Sequence, residues 1–196
     1  MTRKIDKKQR VEEIINAAVD EFVEKGYENA SMESIAVRAG ISKGGVYHHF
    51  KSKREVLFAA NQRLSEPIYE FITEAQKSHS PAAALREYVE KYIFYWNSHR
   101  RELTFFLLSM TTALSSPEVW PMYAEYTVDM IDFLEGLYKR AISLGEMLPH
   151  DTRSSAVTLM AALDGIISYS IMIPAWEPQE ITALFNERFI KCVSKT

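Results

Sequence analysis

The chain has 196 residues, 47% of them hydrophobic and 25% charged, with a formal net charge of −3. That make-up belongs to a folded globular protein of one or two domains and excludes a disordered or fibrous chain. Cys192 is the single cysteine, so an intrachain disulfide is excluded too, as suits a reducing cytoplasm.

Taken in order, residues 3–10 hold five basic residues among eight, either as an arm or as the frayed start of helix 1. No apolar stretch follows them, so they do not read as a secretory signal. Helix 1 is predicted from Lys7 to Lys25, with Val11, Ile14, Ile15, Ala18 and Phe22 as its apolar stripe. Gly26 ends it and Tyr27 plugs the turn. Phe22 is expected to pack against Ile35, Val46 and Phe50.

Residues 31–50 read as two short helices joined by a tight turn, and the rest of the chain is organised around them. Ser31 caps the first helix. Met32, Ile35, Ala36 and Ala39 recur at helical spacing. Gly40 supplies the left-handed residue that stops it, and Ile41 follows as an apolar plug. Ser42 caps the second helix, Lys43 to His49, with Val46 and Phe50 turned to the core. Lys43, Gly44, Gly45, Tyr47 and His48 are left outside. Two glycines in a first helical turn each cost up to about 1 kcal/mol relative to alanine. A helix that keeps them has a use for a bare backbone, such as close approach to phosphates and a groove. A solvated helical hairpin is the plainer alternative, and spacing alone does not choose between them.

Ser52 caps helix 4, which runs to about Gln76 and carries Pro67 inside it as a potential kink. Helix 5 spans about 81–97, helix 6 about 100–113 and helix 7 about 117–143. Asp151 or Thr152 opens helix 8, which reaches about Ile173. Residues 174–178 form a turn, and helix 9 is predicted at 178–194 with Ile181, Leu184, Phe185, Phe189, Cys192 and Val193 on one stripe. The most apolar stretch, 156–176, has Asp164 at its middle. An aspartate there costs about 3 kcal/mol on insertion scales, so the stretch reads as a buried helix and not a membrane span.

Charge divides unevenly. Residues 1–54 carry 11 Lys and Arg against 8 Asp and Glu, a balance of +3; the remainder carries 12 against 18, a balance of −6. A basic head on an acidic body is the footprint of a nucleic-acid-binding domain joined to one that stays off the polymer. Chance variation of surface charge is the bland alternative.

Residues 11–57 resemble the DNA-binding domain of the tetracycline-repressor (TetR) family. The resemblance rests on Ile15-x-Ala17-Ala18-x-x-x-Phe22-x-x-x-Gly26-Tyr27, on Ser31-x-x-x-Ile35-Ala36-x-x-Ala39-Gly40-Ile41-Ser42-Lys43-Gly44, and on Tyr47-x-His49-Phe50-x-Ser52-Lys53. It implies an all-α fold of about nine helices: a three-helix, homeodomain-like helix-turn-helix domain at 1–54, then a helical effector-binding and dimerisation domain at 55–196. It places Lys43 and Gly44 where the family often reads bases, and Tyr47, His48 and Lys53 where it often holds phosphates. With the cap residues Ser31 and Ser42 these complete the expected DNA-facing set. Gly44 stands where some members carry a proline.

No enzyme constellation is present: no Gly-x-Ser-x-Gly, no glycine-rich phosphate loop and no Glu-x-x-His. Adjacent helical residues point about 100° apart, so His48 and His49 make a poor metal pair. No metal, cofactor or catalytic residue is expected. Asp164 reads first as a hydrogen-bonded core aspartate and second as a ligand contact. Helices 5–7 are rich in large rings, and an apolar or aromatic effector is expected at Trp96, Phe106, Met110, Trp120, Tyr123 and Tyr126. Helices 8 and 9 offer surplus apolar surface for a second copy of the chain. The functional expectation is therefore a cytoplasmic, homodimeric repressor that binds a near-palindromic duplex operator and is released by its effector. An activator or effector-independent regulator is the alternative, and an all-helical enzyme a remote one.

Overall fold

The computed structural model describes residues 6–173 and 176–195; Arg3 and Lys4 of the basic arm, and Pro174 and Ala175 of the predicted turn, lie outside the described residues. Within the described residues the chain is helical and has no β-strand: α1 (Lys7–Asn29), α2 (Met32–Arg38), α3 (Lys43–His49), α4 (Lys53–Lys77), α5 (Pro81–Ser98), α6 (Arg100–Ser115), α7 (Trp120–Ser143), α8 (Thr152–Met172) and α9 (Pro178–Phe185). The capping residues act as their chemistry dictates. Ser31 and Ser34 exchange side-chain bonds at the start of α2, and the Ser42, Ser52 and Asp151 side chains accept the amides of Gly45, Glu55 and Ser154. Gly26 and Gly40 adopt φ of 76° and 66°, which a residue with a Cβ enters only under strain. Gly26 breaks α1 as expected, but a further helical turn continues to Asn29 beyond the break.

The chain folds as two units. The first comprises the described part of Met1–Ser65 together with Thr104–Tyr123, and so exceeds the head expected at 1–54. Its core is built on Ile14, Ile15, Ala18, Phe22, Ile35, Val46, Phe50 and Leu57, all buried. Phe22 stacks on Phe105, with ring centroids 6.0 Å apart. A buried polar knot ties α4 to the second segment: the Asn61 carboxamide oxygen accepts from Ser109 (3.1 Å) and from Tyr123 (2.8 Å), while its amino group donates to the Leu57 carbonyl. Arg54 pairs with Glu118 at 3.0 Å.

The second unit comprises Glu66–Leu103 and the described part of Ala124–Thr196. Its core includes Leu85, Tyr88, Val89, Tyr92, Trp96, Leu134, Tyr138, Leu159, Leu163 and Ile167. The α4–α5 loop is closed from α7 and the turn after it. Arg140 donates to the carbonyls of Gln76 and Ser78, and the Glu146 carboxylate accepts the Ala82 amide at 2.8 Å. Among the described residues one helix, α8, is long and apolar enough to cross a membrane. Its Asp164 accepts the Tyr92 hydroxyl at 2.9 Å within the unit.

Two expectations are corrected. Helix 7 starts three residues later than predicted, at Trp120. Residues 116–119 form a turn instead, with the amides of Val119 and Trp120 both donating to the Ser116 carbonyl. The regular part of α9 ends at Phe185 rather than continuing to 194. It widens into a π turn at Asn186–Ile190 and then tightens into a 3₁₀ turn at Lys191–Val193. Two outside partners divert the backbone there: Tyr138 donates to the Phe189 carbonyl at 2.9 Å, and Leu148 donates to the Val193 carbonyl at 2.8 Å. The change of period rotates the end of the expected stripe, so Cys192 is exposed and Ile190 is buried; Leu184, still within the regular helix, is exposed as well.

Candidate nucleic-acid interface

Seven residues are too few for a stable helix on their own, so tertiary anchoring must hold α3 in place. The anchors are Val46, fully buried, and Phe50 just past its end. Ser42 fixes the start by accepting the Gly45 amide at 3.1 Å. With one face spent on Val46, the other presents Ser42, Lys43, Gly44, Tyr47 and His48, all exposed. Tyr47 is 47% exposed, high for so large a ring. These residues, expected at the surface of this helix, are thus exposed, and so is Ser31 at the start of α2.

Two features bear on the electrostatics of that face. Lys43 lies 3.4 Å from Glu33 of α2; both are mostly exposed, so the pair is weak and can open. Sequence reasoning did not single out Glu33. His49 is half-buried behind the face, and its Nδ1 is buried without a partner. Burial, aided by the nearby positive groups His48, Lys7 and Arg10, holds its pKa below the usual histidine value. His49 is therefore neutral at pH 7 and acts in packing.

Lys53 is used differently from the expectation that it holds a phosphate. Its ammonium donates to the carbonyls of Tyr27, Glu28 (3.2 Å) and Ala30 (2.9 Å), and lies 4.3 Å from the centroid of the Tyr27 ring. All three ammonium hydrogens are thereby committed to carbonyls that the broken end of α1 leaves open. No local signal in the sequence foretells this, because the partners are 23 to 26 residues away. Lys53→Met is expected to cost about 1–3 kcal/mol of stability, since partly buried carbonyls lose their donors. Urea unfolding checks this. The dependence of DNA affinity on salt should stay nearly unchanged in the variant, whereas a phosphate contact would lower its slope by about one.

The effector residues named from sequence divide between the units. Trp96, buried, and Tyr126, half-buried, are in the second; Phe106 and Tyr123, buried, Met110, half-buried, and Trp120, 51% exposed, are in the first. The Tyr123 hydroxyl bonds to Asn61 and Ser109, and Phe106 lies 6.3 Å from the Tyr123 ring.

Residues 14–60 match the family model described as bacterial regulatory proteins, tetR family. The Transposon Tn10 TetC protein of Escherichia coli is 32% identical over 96 residues, 49% of this chain and 49% of TetC. The transcriptional activator FasR of Mycolicibacterium smegmatis is 35% identical over 75 residues, 38% of this chain and 34% of FasR. The chain thus spans about half or less of the length of these curated relatives. SmeT, the repressor of the Stenotrophomonas maltophilia multidrug efflux pump SmeDEF, superimposes with a TM-score of 0.79 at 25% identity, over 94% of this chain and 90% of SmeT. The SmeT–triclosan complex gives a TM-score of 0.82 at 22% identity, covering 95% and 92%.

Proposed function

We propose that the chain, whose residues 14–60 match the tetR family model, is a TetR-family homodimeric, ligand-responsive repressor of transcription. One observation carries the DNA-binding part: α3 spends a single side chain, Val46, on anchorage and turns Lys43, Gly44, Tyr47 and His48 outward from a head with a charge balance of +3. In this reading α3 enters a major groove, with Lys43 and Gly44 at base edges and Ser31, Ser42, Tyr47 and His48 near phosphates.

One helix this short reads too few bases for a unique genomic site, which favours two copies on half-sites about 34 Å apart. The surface offered to a second copy lies on α8 and its continuation, where Val157, Tyr169, Ile171, Met172 and Ile173 are exposed, together with Leu184 of α9. A soluble monomer rarely leaves such a patch uncovered. The SmeT–triclosan complex supports a small-molecule effector for this fold. A tenfold release from DNA requires about 1.4 kcal/mol of coupling between effector and operator sites.

The test is a fluorescence-anisotropy titration of the effector-free chain on its own upstream DNA at moderate salt. The expected result is sequence-specific binding with two chains per duplex. Lys43→Ala should cost about 1–3 kcal/mol on the preferred operator and change sequence preference; Tyr47→Ala should weaken all sequences alike. Binding that ignores sequence, or a saturating stoichiometry of one chain, would refute the proposal. FasR, 35% identical over 75 residues, is named a transcriptional activator; a reporter assay with and without the gene separates that reading from repression.

A further inference from the structure

The second unit contains a polar constellation that its packing does not account for. Asp164 points from α8 toward α5 and, among the described residues, accepts one side-chain hydrogen bond, from the Tyr92 hydroxyl at 2.9 Å, with no Lys, Arg or His paired to it. One turn earlier on α5, Tyr88 is entirely buried, and among the described residues its hydroxyl reaches only the thioether of Met130, at 3.9 Å. Tyr88 and Tyr92 lie 5.9 Å apart ring to ring, both close enough to feel the Asp164 charge. Phe133 sits edge-on to Tyr88 at 5.1 Å, and Trp96 edge-on to Tyr92 at 6.3 Å.

Buried polar groups in native proteins are nearly always satisfied, and a buried charge is nearly always paired. Here a carboxylate has one side-chain bond beside a buried phenol whose only acceptor among the described residues is a weak thioether, so both have capacity left within one helical turn. Neither residue is needed to fill space, since leucine and phenylalanine would do so without the cost. Asp164 is also not sealed, being half-buried like its neighbours Tyr126 and Phe133. Burial raises its carboxyl to about 6, and the Tyr92 bond opposes that rise, so the group is mostly ionised at pH 7.

A group that completes this constellation must donate to a carboxylate and neutralise it, must bond a phenol, and must tolerate aromatic walls. A protonated nitrogen on an aromatic or apolar skeleton does all three, because the faces of phenol and indole rings attract cations. We propose that Asp164, Tyr92 and Tyr88 are the polar end of an effector site that selects organic amines in their cationic form. The inference rests on the ligand-responsive reading above and adds the chemical class of the ligand.

The purified full chain is titrated calorimetrically with 1-naphthylmethylamine, 1-naphthylmethanol and 1-naphthoate, then with 4-phenylbenzylamine and its matching alcohol and acid. In both series the amine is expected to bind at least about tenfold tighter than the alcohol, with the acid weakest. Asp164→Asn keeps an acceptor for Tyr92 but removes the charge, and should bring amine and alcohol within about twofold of each other. Tyr88→Phe, which leaves every described core contact of the ring in place, should weaken the amine selectively and covers the case in which the Asp164 variant fails to fold. Equal affinity across a series, preference for the acid, no amine binding at millimolar concentration, or an amine preference that survives in a folded Asp164→Asn protein overturns the proposal. Ligand-free operator binding is measured on the same preparations: intact operator binding without amine preference sinks this inference alone, whereas loss of operator binding sinks the regulatory reading.

Discussion

Gly44→Ala is expected to stabilise the fold by about 0.5–1 kcal/mol while lowering operator affinity at least about tenfold. The two effects have opposite signs because they arise on opposite sides of the residue. Inside the protein a Cβ at Gly44 fits: its nearest neighbour is the Ser42 hydroxyl oxygen at 3.9 Å, an ordinary contact, and the backbone there is not left-handed. Alanine therefore gains helix propensity and loses nothing. Outside, the same Cβ stands on the exposed face between Lys43 and Tyr47, where the proposed reading brings a groove wall within van der Waals distance of the bare backbone. A methyl group there excludes that approach.

Gly45 provides the internal control. Its Cβ would point back toward the Ser42 hydroxyl at 3.4 Å and the Ile41 side chain at 3.5 Å, away from the outward face. Gly45→Ala should thus change stability slightly and DNA affinity much less than Gly44→Ala. Thermal melts and anisotropy on both variants check the pattern. If Gly44→Ala binds the operator as the parent does, α3 is not the element that approaches DNA.

Much of this was legible in the sequence because it is local. A serine or aspartate before a periodic apolar run declares a helix start, and Ser31, Ser42, Ser52 and Asp151 all cap as their positions imply. Gly26 and Gly40 marked turns that only glycine enters freely. The apolar spacing named Ile35, Val46 and Phe50 as core. What escaped was set by partners far along the chain. Lys53 looks like any basic residue at a helix start until the open carbonyls of α1 are placed over it. The π turn after Phe185 depends on Tyr138, 51 residues away from the carbonyl it binds. Cys192 fell on the predicted stripe only because the helix was assumed to keep its period. Asp164 was visible as an oddity, but that the Tyr88 hydroxyl meets a thioether is a fact of three dimensions. Glu21 did leave a trace: it sits three residues after Ala18 and one before Phe22, on the buried side of α1, where an acid calls for a cation.

That acid gives the other large effect: Glu21→Gln is expected to cost about 2–3 kcal/mol at pH 7 and to flatten the acid limb of the stability curve. The Glu21 side chain is 3% exposed and is held by Lys25 and Arg38, each at 2.7 Å. Arg38 also grips Glu24, so one guanidinium clamps α2 onto α1 through two carboxylates. Burial alone would raise the Glu21 carboxyl, but hydrogen bonds from Lys25, Ser34 and Arg38 outweigh it and hold the pKa at about 2. The folded value lies below the ordinary carboxylate value, so the folded state favours the ionised form. The stabilisation is then complete above about pH 4.5 and disappears as the pH falls through about 2. Glutamine keeps the shape but accepts with one oxygen and carries no charge, which leaves Arg38 and Lys25 underpaired. Both cations retain solvent access, which keeps the cost below that of breaking a fully buried pair. Urea unfolding of parent and variant from pH 7 to pH 2 should show two curves that converge toward the acid end. Curves that coincide at pH 7, or that run parallel throughout, would show that the clamp adds nothing to the head. If the clamp is real, the variant should lose operator affinity only where the head has begun to unfold, because Glu21 lies on α1 and offers nothing to the outward face of α3.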